Sequence, residues 1–192
     1  MNRLALASCL IVLAAPLAGA QSSTWTADPA HSDISFSITH MGISTVRGRF
    51  GSFKATIVMD DADIAKSSVN ATIDVSSVDT SQSARDGDIK GAGWFNVAAF
   101  PTATFSSTSV VKSGDHLTIN GNLTLHGVTK PVILEADGPT GPIAGMDHKP
   151  HAGFTATTTI NRADFGIGSK FPAAMVGDSV KLQIDLEVVK QN

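Results

Sequence analysis

Apolar and polar residues alternate with period two along most of this chain. The cleanest run is Ser179 to Val189. There Val180, Leu182, Ile184, Leu186 and Val188 share one face, and Lys181, Gln183, Asp185 and Glu187 share the other. Successive strand side chains point to opposite sides of a sheet, so such a run predicts one dry face and one wet face. Comparable runs cover Asp33 to His40, Thr45 to Met59, Val69 to Val75, Thr102 to Val111, His116 to Leu125, Val128 to Asp137 and Phe154 to Ile160. About eight antiparallel strands with short connections predict an all-β domain closed into an up-and-down barrel. A two-sheet sandwich is the rival architecture.

The pattern is interrupted at informative places. Val46, Gly48 and Phe50 share one parity, whereas Phe53, Ala55, Ile57 and Met59 share the other. One extra residue at Gly51-Ser52, a bulge in one long strand, would restore the apolar side. Ser81 to Lys90 is the one helical stretch, with Ser81 or Ser83 as its cap and Gly91 and Gly93 at its end. Trp94, Phe95 and Phe100 follow in an apolar patch that is not a strand. His126-Gly127 reads as a hairpin turn. Pro131 lacks a ladder donor and belongs at an edge or a bulge. Gly138 to Pro150 reads as a loop, and Asn161 to Gly177 as irregular chain carrying Phe165, Phe171 and Met175.

The first twenty residues look like a cleavable leader. Arg3 precedes the apolar run Leu4 to Ala15, and Ala18-Gly19-Ala20 fits the small-residue cleavage rule. That run is too short to span a bilayer. Cleavage after Ala20 leaves residues 21–192 as one domain and predicts a periplasmic or secreted protein. Cys9, the only cysteine, leaves with the leader, so the mature chain has no thiol or disulfide chemistry. A formal charge of −3 with scattered Lys and Arg carries no nucleic-acid footprint.

Catalytic motifs are missing. The chain has no G-x-S-x-G, and Gly166-Ile167-Gly168-Ser169-Lys170 lacks the spacing of a phosphate loop. His148 and His151 beside Asp147 are too few ligands for zinc, and Pro150 denies them a helical frame. No metal or cofactor is expected. His40 continues the inward parity of Ile34, Phe36 and Ile38, where it would either meet a ligand headgroup or bond a neighbouring loop. Nine Phe and two Trp without any Tyr suit a hydrocarbon-lined cavity, and equally a plain core.

Several motifs occur in a telling order: His31-Ser32-Asp33-Ile34-Ser35-Phe36, Val46-Arg47-Gly48-Arg49-Phe50 and Phe100-Pro101-Thr102-Ala103-Thr104-Phe105. Gly121-Asn122-Leu123-Thr124-Leu125-His126-Gly127-Val128 follows, then Asn161-Arg162-Ala163-Asp164-Phe165-Gly166 and Val176-Gly177-Asp178. In this order the chain resembles the YceI-like family of bacterial polyisoprenoid-binding proteins over nearly its whole mature length. The resemblance implies an extended lipocalin-like barrel with one short helix and a long isoprenoid or similar amphipathic lipid inside. A bound isoprenoid quinone or fatty-acid-like lipid, transient contact with membranes or membrane redox proteins, and a homodimer belong to the same expectation.

The candidate ligand wall combines Phe36, Ile38, His40, Phe53, Ile57, Ile73, Trp94, Phe95 and Phe105 with Leu123, Leu125, Leu134, Phe154, Ile160, Phe165, Leu182 and Ile184. A ten-residue strand spans about 33 Å, long enough for an extended tail. Twenty buried methylenes contribute about 16 kcal/mol before ordering and association costs. The expected activity is therefore non-catalytic lipid transport or storage. A lipid-modifying enzyme and a structural or stress-response envelope protein with a filled core are the alternatives.

Overall fold

The computed structural model describes residues 22–191, so the leader assigned to residues 1–20 lies outside the described residues. The strands are β1 (Ser22–Ala27), β2 (Asp33–His40), β3 (Ser44–Phe50), β4 (Phe53–Asp60), β5 (Ser68–Asp74) and β6 (Val78–Asp79). After the helix α1 (Ser83–Lys90) come β7 (Thr102–Ser113), β8 (His116–Leu125), β9 (Val128–Ala144), β10 (Pro150–Asn161) and β11 (Val176–Lys190). Neighbours pair antiparallel in the ring β1-β4-β5-β7-β8-β9-β10-β11, which closes through β1 against β11. β2, β3 and β6 extend as a flap from the other end of β11.

The chain thus builds a closed, eight-stave barrel, three of whose staves are interrupted: β1 with β2, β3 with β4, and β5 with β6. The interruption at Gly51-Ser52 corrects the expected bulge. β3 pairs with β2 and β6, whereas β4 pairs with β1 and β5, so the chain changes neighbours there. Backbone from the next stave pins the break. Gly51 N–H donates to the Ser77 carbonyl at 3.2 Å, and Asp74 N–H donates to the Ser52 carbonyl at 2.9 Å.

Two further expectations change. The segment read as a loop from Gly138 is mostly strand, since β9 runs on to Ala144 and pairs with β10 through Thr140↔Gly153 and Ile143↔His151. Register shifts in β10 absorb the Gly- and Pro-rich sequence. β1 was not marked by alternation because its two inward residues are Ser23 and Trp25. The pair is sealed internally, with Trp25 Nε1 donating to Ser23 Oγ at 2.9 Å. The helix is capped by the Gln82 side chain, not by a serine.

Other elements stand where the pattern places them. His126 and Gly127 both take positive φ in the β8–β9 turn, as a tight hairpin turn requires. Pro131 pairs with Asn122 of β8, but β9 meets β10 only from Glu135 onwards. Its missing donor therefore faces an unpaired edge.

The interior is packed in layers. Phe105, Val110, Leu117, Ile119, Leu134 and Ala136 fill one part, and Trp25, Ile57, Met59, Ala152 and the fully buried Val188 fill the part beyond it. Val180, Leu182, Ile184 and Leu186 share the parity of Val188 yet are only half-buried. They face inward without being packed over, which means they border open space.

Candidate functional site

That space is an apolar cavity of two chambers. The upper one is about 380 Å³ and the lower one about 130 Å³. Ile34, Ile73, Leu123 and Leu182 line both and form the waist between them. Along β11 the lining runs from Val176 in the upper chamber to Leu186 in the lower. Ten residue steps of strand correspond to about 33 Å of wall. The upper volume falls within the usual range for a ligand pocket.

The lining is built by strand alternation. Phe36, Ile38, Ile73, Leu123, Leu125, Ile160 and Leu182 reach the upper chamber from strands, and Trp94 and Phe95 reach it from the segment after α1. Ile57, Phe105, Leu134, Phe154 and Ile184 line the lower chamber. Phe53 and Phe165 line neither; both are buried in the packed core beside them. His40 lies at the exposed end of β2, on the rim of the upper chamber.

Polar groups collect at one end. Thr39, His40, Thr80, Arg85, Asp88 and Arg162 are the polar and charged residues of the upper lining, whereas only Ser67 and Thr158 interrupt the lower one. The buried Thr80 organises part of this rim. Its N–H donates to Asp86 Oδ1 at 2.8 Å, and its oxygens accept from Arg85 Nε at 2.7 Å and Nη2 at 2.8 Å. The hydroxyl also donates to Asp86, and that bond, the largest influence, holds the Asp86 carboxyl below the usual carboxylate range.

Arg162 is the residue that alternation could not single out. It lies 3 % exposed in the stretch read as irregular. Nε donates to the Gly177 carbonyl at 3.1 Å, and Nη1 donates to the carbonyls of Ile167 at 2.9 Å and Gly168 at 2.7 Å. Nη2 donates to the carbonyls of Phe171 and Val176, both at 2.8 Å, and pairs with Asp178 Oδ1 at 2.9 Å. A guanidinium has five N–H donors, and every nitrogen here is engaged by protein. Arg162 therefore folds the segment from Ile167 to Asp178 over the mouth; its donors are not left for a guest. Trp94 stacks on Phe171 from that segment, with ring centroids 4.7 Å apart.

A wide concavity of about 1140 Å³ is a different feature. It lies over outward-facing Ser35, Ser37, Asn120, Asn122, Lys181 and Gln183. It is open, and its lining mixes these polar residues with Phe36, Val132, Ile160 and Leu182, so it is less apolar than the two chambers. Among the described residues, no helix is long and apolar enough to cross a membrane.

Comparison with known proteins places this architecture. The sequence profile of the YceI-like domain matches residues 25–188. Protein YceI of Salmonella arizonae and Protein YceI of Salmonella enteritidis are each 42% identical over 165 residues, covering 84% of this chain and 83% of theirs. The crystal structure of Burkholderia cenocepacia BcnA superposes with a TM-score of 0.75 at 25% identity, covering 84% of this chain and 98% of that one. The Campylobacter jejuni YCEI protein gives 0.72 at 29% identity, over 81% of this chain and 91% of its own. A polyisoprenoid binding domain from Saccharophagus degradans shares the fold at a TM-score of 0.64 and 17% identity, over 87% of this chain and 98% of that one.

Proposed function

The chain belongs to the YceI-like family, and we propose that it is a non-catalytic carrier or store for a long-chain isoprenoid or similar amphipathic lipid. The observation that carries this reading is the two-chambered apolar cavity with its polar residues gathered at one end. A tail occupies the chambers and a headgroup stays at the rim with Thr39, His40, Arg85 and Asp88. The polyisoprenoid binding described for the Saccharophagus degradans domain is of the same kind. Transfer of apolar surface from water supplies about 0.8 kcal/mol per methylene, so affinity resides in the tail and headgroup discrimination is weak.

The leader-like residues 1–20 support a periplasmic setting, in which such a lipid crosses water between membranes. The rim supports transient membrane contact. Met41, Ile43 and Met175 are 56%, 84% and 48% exposed there. Met41 N–H donates to the Met175 carbonyl at 2.8 Å, which ties the β2–β3 tip to the segment over the mouth. Apolar side chains beside an apolar opening let a tail move between bilayer and cavity with little exposure to water.

The direct test is organic extraction of gently purified protein followed by mass spectrometry, then reloading of the stripped protein with polyprenols and isoprenoid quinones. A stoichiometric lipid, displaced by either, is the expected result. Protein that carries none and takes up none overturns the proposal.

A further inference from the structure

The outer wall carries a histidine–carboxylate cluster far from the cavity mouth, where the β1–β2 connection crosses β11 and the start of β10. We propose that Asp28, His31 and Glu187 form a binding site for a borderline divalent cation of the zinc type. One ligand atom from each of the three residues lies within 4.8 Å of the others. Zinc bonds of about 2.0–2.2 Å set tetrahedral ligand atoms roughly 3.3 Å apart, so small side-chain rotations complete the site. Three protein ligands leave the fourth position to water.

The backbone holds the ligands in place. Asp28 N–H donates to the Glu187 carbonyl at 2.8 Å. Ser32 Oγ donates to the same carbonyl at 3.1 Å and accepts from Glu187 N–H at 3.0 Å. The connection bearing Asp28 and His31 is thus clamped to the residue that supplies the third ligand. Glu187 is oriented in turn, since His151 Nδ1 bonds Glu187 Oε1 at 2.6 Å and His151 Nε2 bonds Asp147 Oδ1 at 2.9 Å. A partner that fixes a ligand's orientation commonly changes metal affinity about 10–100-fold.

Charge favours the same occupant. Three carboxylates, from Asp28, Glu187 and Asp147, surround two imidazoles, from His31 and His151. The carboxylates outnumber the imidazoles, so the cluster calls for positive charge of the kind a divalent cation supplies. The other histidine–carboxylate group differs. Asp137 meets His116 at Nδ1, and Glu135 meets it at Nε2. The two carboxylates lie on opposite ring nitrogens, so His116 serves as an internal control.

The test is titration of untagged, chelator-stripped protein with Zn²⁺ at pH 7.5 against a chromophoric chelator, with the thermal midpoint read in parallel. One Zn²⁺ per chain and a midpoint that rises with Zn²⁺ are expected. His31→Asn and Glu187→Gln abolish both effects, His151→Gln weakens binding about 10–100-fold, and His116→Asn changes neither. Far-ultraviolet circular dichroism confirms each variant's fold; His31 is exposed, so its variant decides the matter if Glu187→Gln unfolds. Absence of binding, or binding that survives His31→Asn, overturns the proposal. Neither result bears on the lipid cavity.

Discussion

The ring of Phe105 lies in the space that a side chain on Gly121 would need. Phe36 is seated in the same way, with its ring 2.5 Å from where a Cβ on Gly48 would stand. Phe154 lies over Gly138. These rings point inward by parity, yet they fold against the wall instead of reaching across the barrel. The glycines therefore keep the lumen open. Gly121→Ala is expected to push Phe105 towards the lower chamber and to destabilise the fold by about 1–3 kcal/mol, the usual range for overpacking. Urea unfolding measures the loss, and lipid stoichiometry measures the lost capacity. Adding Phe105→Leu should recover the capacity and part of the stability, the remaining loss coming from the Ser106 carbonyl, which also lies in the space of a side chain at 121.

The waist makes a length-dependent prediction. Leu182→Trp adds a large ring where the two chambers meet, beside Ile34, Ile73 and Leu123. The variant should still bind short-tailed lipids in the upper chamber and should lose long-tailed ones. Competition between isoprenoids of different length, read by native mass spectrometry, reports the ratio. Equal retention of both lengths would show that the tail does not pass the waist.

Arg162→Met removes the guanidinium and leaves the carbonyls of Ile167, Gly168, Phe171, Val176 and Gly177 without their donor. Leaving a buried acceptor without its donor typically costs about 1–3 kcal/mol. Denaturant unfolding should show a loss of that order. Trp94 emission should shift to longer wavelength early in the transition, because its stacking partner Phe171 sits on the segment that Arg162 holds. Asp178→Asn removes only one of the contacts and should cost much less.

These residues show what the chain's pattern made visible. Period-two alternation put Ile73, Leu123 and Leu182 inside, and they line the cavity. It put Phe53 inside as well, but parity does not separate a packed residue from one that borders space. The slip at Gly51-Ser52 was visible too; a bulge and a change of pairing partners leave the same trace, because both shift parity by one. The strand from Gly138 to Ala144 was hidden by its Gly and Pro content, which its partner β10 accommodates through register shifts. Arg162 had no periodic signal at all. Its role depends on five carbonyls brought to it by a non-repeating loop.

The rim predicts membrane behaviour. Ile43→Glu places a charge on a side chain that is 84% exposed and is not part of the cavity lining. Sedimentation with zwitterionic vesicles should fall, and delivery of a preloaded lipid to them should slow, while cavity loading from detergent stays unchanged. Vesicle binding equal to that of the parent would remove the β2–β3 tip from the transfer step.

The His151 network gives a signed pH dependence. Hydrogen bonds to the carboxylates of Asp147, and then Glu187, raise the His151 pKa, with desolvation opposing less strongly. A group whose pKa is higher in the folded state stabilises the fold fully below its unfolded value, about 6.5, and the stabilisation fades as pH rises through the folded value. In metal-free buffer the thermal midpoint should therefore decline from about pH 6.5 upwards. His151→Gln should flatten that decline. A parent and a variant with parallel profiles would assign the pH dependence elsewhere.

The interrupted staves have a mechanical consequence. The ring closes through β1 against β11, while the flap of β2, β3 and β6 pairs with the ring along β11 and is pinned again where Gly51 N–H meets the Ser77 carbonyl. Aperture and seal are thus separate parts of one sheet. The ladders that close the ring contain no residue of β2 or β3, so substitutions there reach the opening without touching the seal of the vessel beneath.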